Sequence, residues 1–165
     1  MSSQAVLHRR SSRLATIIPA SHWISMGYSQ DDALRLEIRQ HDMKKYCDGE
    51  YGSDVRAVEL RGRRNGGALP YHDMLLPHWK KVCKALKEST FVENIEFYNT
   101  CLPLPVLDIM FPTFQSINLI SLSLGNIAWG SDGYQRLLSF LNDNRSLKVK
   151  KELMIFLLPA PCQML

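Results

Sequence analysis

Four residues with reactive side chains fall close together: His72, Asp73, His78 and Cys83. Such a set could bind a metal or supply an acid, a base and a nucleophile. The spacing does not support it. Zinc sites use CxxC or HExxH pairs, which bring two ligands to one side, and neither is present. Cys83 shares one helical stripe with Trp79, Val82 and Leu86, where a thiol reads as a small hydrophobe. His78 follows Pro77 at an expected helix start. The segment Gly62 to Gly67 (GRRNGG) is basic and glycine-containing, but it lacks the Lys-Ser/Thr ending of a phosphate loop. No Ser-His-Asp order or nucleophile elbow is visible. The expectation is a non-catalytic protein with no cofactor and no metal.

Two modification motifs remain. Cys162-Gln163-Met164-Leu165 fits a C-a-a-X ending, and terminal leucine favours geranylgeranyl. Lys148, Lys150 and Lys151 lie upstream as a basic cluster. Cys162 is therefore a lipidation candidate, and a lipid-anchored peripheral membrane protein is one alternative reading. Asn144-Arg145-Ser146 is formally a glycosylation acceptor. It falls where a helix C-terminus is expected, and asparagine is favoured there as a cap.

The elements that would carry a binding surface come from a spacing that occurs three times. Val55, Val58 and Leu60 stand as anchors of the spacing LxxLxL, followed by Val92, Ile95 and Phe97, then Leu119, Leu122 and Leu124. Each set suits a strand with one apolar side, so Leu122 and Leu124 are both expected to be buried. Trp79, Val82, Cys83 and Leu86 mark a helix after the first strand. Pro105 opens a second helix, which Pro112 is expected to break after two turns. Ser131 or Asp132 is expected to cap a third, carrying Leu137, Leu138, Phe140 and Leu141. A strand-loop-helix unit cannot bury its apolar sides alone, so such units stack.

These anchors, and the run DGYQRLLSFLNDNRSL, resemble the leucine-rich repeats of the ribonuclease-inhibitor-like kind. The resemblance covers roughly Ser53 to Leu147. It implies an α/β fold: an open, short solenoid with a parallel sheet on its concave face and helices on its convex face. The family pattern places an asparagine three residues after the last leucine. Here Asn99 and Asn126 come two residues after Phe97 and Leu124, and Gly62 holds the equivalent place after Leu60. Side chains alternate across a strand. If the anchors point inward, Ala57, Glu59, Arg61, Asn94, Glu96, Tyr98, Ser121, Ser123 and Gly125 point outward together. The expected function is protein-protein interaction on that concave face, with an inert fragment of a longer repeat protein as another alternative.

The rest of the chain bounds this reading. The 165 residues suffice for one core of moderate size. The formal charge is +4, of which residues 1–30 carry +3 and residues 148–165 carry +2, leaving −1 for residues 31–147. A nearly neutral fold argues against a nucleic-acid surface. The four cysteines are scattered, which reads as reduced thiols in a cytoplasmic protein. No apolar run approaches the ~20 residues of a membrane span. Residues 1–30 read as a flexible basic segment, with an organelle transit peptide as the rival. Within residues 31–147, Leu34, Leu36 and Ile38 alternate with charges and suggest a strand over 32–40, with a helix as rival. Continuing the repeat from Leu147 places apolar residues at 150 and 152, where the chain has Lys150 and Glu152. The array is therefore expected to end at Leu147. The atypical tail of residues 148–165 either packs over the open end or leaves it free for self-association.

Overall fold

Strand β1 (Ala57–Arg61), β2 (Asn94–Cys101), β3 (Ser121–Ala128) and β4 (Lys148–Lys150) form one parallel sheet in chain order. Helix α3 (Leu76–Glu88) links β1 to β2, α4 (Leu104–Ser116) links β2 to β3, and α5 (Gly130–Asp143) links β3 to β4. Helices α1 (Ala20–Ser25) and α2 (Gln30–Cys47) precede the sheet. The computed structural model describes residues 16–49, 57–61, 68–117, 119–144 and 148–150. The result is a mixed α/β fold with an open parallel sheet.

The register follows the sequence anchors. Val58 lies opposite Ile95, and Ile95 opposite Leu122; Leu60 lies opposite Phe97, and Phe97 opposite Leu124. Val58, Leu60, Ile95, Phe97 and Leu122 are buried beneath the helices. Phe97 meets Trp79 of α3 at 6.0 Å and Phe114 of α4 at 6.4 Å between ring centroids. Phe111 of α4 stacks on Phe140 of α5 at 4.3 Å. Burying one such side chain contributes roughly 1.5–3 kcal/mol, so this aromatic seam is a main source of cohesion between the layers.

Several expectations need correction. Residues 32–40 belong to α2 and not to a strand. Ser29 caps the helix by accepting a bond from Asp32 N–H at 3.1 Å, and Asp31 and Asp32 suit the positive first turn. Ala33, Leu36, Gln40 and Met43 form its buried stripe, whereas Leu34 and Ile38 are about half exposed. The alternation was thus a helical stripe seen beside two surface hydrophobes. Part of the N-terminal segment also belongs to the fold: Trp23 of α1 is fully buried. Its neighbour Ile18 exchanges both backbone groups with the buried amide of Gln40, at 2.8 and 3.1 Å. The transit-peptide alternative concerns residues 1–30, of which residues 1–15 lie outside the described residues.

Pro112 does not end α4, which runs on to Ser116. The proline sits on the solvent side, where the carbonyl it frees can reach water. Phe111, Thr113 and Phe114 around it are buried, so packing overrides local preference. Helix α5 starts at Gly130, so its N-cap position is Trp129 and not Ser131 or Asp132, and Trp129 makes no capping side-chain bond.

The parallel sheet continues past residue 147. β4 pairs with β3, Ser121 opposite Lys148 and Leu122 opposite Val149. The same 27-residue offset relates β2 to β3. The register thus sets Val149 beside Leu122, where continuing the spacing from Leu147 had set residue 150. Along the described strand β4 reaches only as far as Ser123, and Leu124 beyond it is partly rather than fully buried. Among the described cysteines, Cys47 and Cys83 are free thiols but Cys101 is disulfide-bonded, so a fully reduced set is not what the structure holds.

Candidate functional site

The sheet has one face under the helices and one face open. On the open face the register brings the nine outward positions into rows. Ala57, Asn94 and Ser121 form the first, Glu59, Glu96 and Ser123 the second, and Arg61, Tyr98 and Gly125 the third. β4 extends the first row with Lys148 and the second with Lys150. Sequence reading missed these two positions because it placed the next anchor at Leu147. The 27-residue offset would have found them through Val149.

The rows differ in what they present. In the first, Ser121 Oγ donates to Asn94 Oδ1 at 2.5 Å, which ties two strands together from the solvent side. In the second, Glu59 is exposed and Glu96 half-buried, carboxylates at facing positions of neighbouring strands. Ser123 is only 5% exposed, contrary to expectation. It stands on β3, between its register partners on β2 and β4.

The third row carries the other correction. Gly125 is buried, because the Tyr98 ring lies across its Cα. A Cβ built on Gly125 would collide with Cδ1 and Cε1 of Tyr98. An aromatic ring laid over a glycine on the next strand shields that backbone and holds the ring in place. Tyr98 is thus half-buried, its ring set against Gly125. The Arg61 side chain lies outside the description. The part of the nine-residue set that faces solvent is therefore Ala57, Glu59, Asn94, Glu96, Tyr98 and Ser121.

Beyond the rows, Asn99 and Asn126 occupy matching places with left-handed backbone, φ 52° and 48°. Asparagine tolerates that region better than most residues. Asn126 Nδ2 donates to Asn99 Oδ1 at 2.6 Å. Leu69 then joins the sheet beside Thr100, donating to the Asn99 carbonyl at 2.8 Å. These contacts give the end of the sheet a fixed rim.

The cluster that suggested chemistry has structural partners instead. His72 Nδ1 accepts from Met74 N–H at 3.2 Å, and its ring meets Trp23 edge-on at 5.5 Å. His78 is buried, and burial together with Lys81 lowers its pKa against a backbone bond to Thr16. Burial raises the Cys83 thiol despite its bond with Thr113, which makes it a poor nucleophile. Among the described residues no group of three or more His, Cys, Asp or Glu side chains could hold a metal. None of the described helices is long and apolar enough to cross a membrane. Cys162 lies outside the described residues.

Protein-family models and curated proteins were both compared with this chain, and none matches.

Proposed function

We propose that the chain is a short leucine-rich-repeat solenoid of the ribonuclease-inhibitor-like kind, acting as a non-catalytic module in the cytoplasm. It binds a protein partner on the open, concave face of its sheet. The observation that carries this reading is the register: three strands of matching spacing bring nine strand positions, six of which face solvent, into three rows. The connections support it as well, since each strand passes through one helix to a parallel neighbour. Repeat folds of this kind recognise partners on the strand face, where side chains from successive units meet.

Tyr98 is the anchor in this reading, because a rigid aromatic ring contributes contact area with little entropy left to lose. Glu59 and Glu96 flank it and set the orientation of the partner. The nearly neutral fold argues against nucleic acid as the ligand.

The test is affinity capture with the intact chain against a Glu59→Lys/Glu96→Lys variant and a convex-side Gln135→Glu variant. The reading expects the first variant to lose the captured protein with its melting curve kept. It expects the second to retain it. Loss with Gln135→Glu and retention with the double reversal would reject the strand face.

A further inference from the structure

Helix α2 buries two long polar side chains at successive positions, and only one of them is satisfied. Gln40 is fully buried, and its amide accepts from Ile18 N–H at 2.8 Å and donates to the carbonyls of Ile18 and Leu36, both at 3.1 Å. Arg39 is 3% exposed, yet neither terminal nitrogen of its guanidinium has a hydrogen-bond partner among the described residues. A buried charge with nothing bonded to it is strongly destabilising, so such a group calls for a pairing ion.

The acids of α2 do not supply one. Arg35 stands one turn earlier on the same flank, because residues four apart on a helix are neighbours. It is also buried, and it takes Asp32 at 3.0 Å and Asp31 at 3.9 Å. Asp42 attracts Arg39 from three residues on, but no ion pair joins the two among the described residues. Burial lowers the Arg39 pKa to about 10, Asp42 works against that, and the Arg35 charge adds to it. At neutral pH Arg39 is therefore still a cation, held beside a second one.

The two terminal nitrogens define what fits them. They present N–H groups in a fork that matches two oxygens of one phosphate or carboxylate. A side chain only 3% exposed offers no face to a second chain, which leaves a small ion as the ligand. We propose that the Arg39 guanidinium is an anion site, binding a small oxyanion of the phosphate or carboxylate class beside Arg35 on α2. The site depends neither on the strand face nor on the repeat reading.

Isothermal titration calorimetry on the full chain tests it, without reductant so that the disulfide at Cys101 is kept. The probes are inorganic phosphate and acetate at constant ionic strength, with chloride as the control. The unmutated chain is expected to give saturable heat with at least one of the two and none with chloride, and the anion that responds identifies the class. Arg39→Met should weaken that binding roughly tenfold or more, because the fork is lost. Arg39→Lys keeps the charge without the fork, should weaken it similarly, and serves if the methionine chain does not fold. Lys84→Met, at an exposed position of α3, should bind as the unmutated chain does. Binding of undiminished strength in an Arg39 variant would overturn the site. So would the absence of saturable heat from both anions in the unmutated chain.

Discussion

Tyr98 and Gly125 act as one unit, although they lie on different strands. The ring occupies the space a side chain at 125 would need. Gly125→Ala should therefore destabilise the fold, by ~1–3 kcal/mol as for other overpacked sites. The same change made in a Tyr98→Ala background should cost much less, and urea denaturation of the four chains measures that coupling. Equal costs in both backgrounds would mean the ring does not lie over the glycine. Spacing alone placed both residues on the open face. It could not show one covering the other, because that depends on which way a ring leans.

His78 gives a second test at this scale. Its pKa is lowered from the ordinary 6.5 in the folded chain, chiefly by burial. The unfolded chain then binds protons more readily as pH falls below ~6.5, so stability is held above that pH and lost below it. Melting temperature should fall between pH 7 and 5, and His78→Gln should flatten that slope. An unchanged slope would show that this histidine is not the group responsible.

At the scale of elements, the sequence was most legible where one face is buried and spacing has a single period. β1, β2 and β3, and the stripe of α3, follow from Val58, Ile95, Leu122 and Trp79 to Leu86. It was least legible where two periods fit the same residues. Leu34 and Ile38 support a strand or a helix, and the Ser29 cap, which decides between them, lies just upstream. Pro112 misleads for a different reason. A proline inside a helix costs ~3 kcal/mol, which α4 meets by burying Phe111 and Phe114 on its other side. Pro112→Ala should accordingly raise stability by ~1–3 kcal/mol in thermal or chemical unfolding. A loss of stability there would contradict that cost.

At the scale of the molecule, the strand register relates the fold to the face. A constant offset of 27 residues carries β2 to β3 and β3 to β4, while the longer offset between β1 and β2 accommodates the loop before α3. The end of the sheet was misread because Leu147 looks like an anchor and Lys150 does not. Strand pairing sets Val149 beside Leu122 and puts Lys148 and Lys150 in the rows of the open face. The candidate site was thus legible in position and less so in exposure: Ser123 is buried and Gly125 lies under the Tyr98 ring, which spacing does not describe. The central claim is that this face meets a protein partner. A photo-crosslinking residue placed at Glu59, and separately at Gln135 on the helical side, tests it most directly in cells expressing the full chain. The account predicts a discrete protein adduct from position 59 that is absent from position 135. An adduct from position 135 alone, or from neither position, would contradict it.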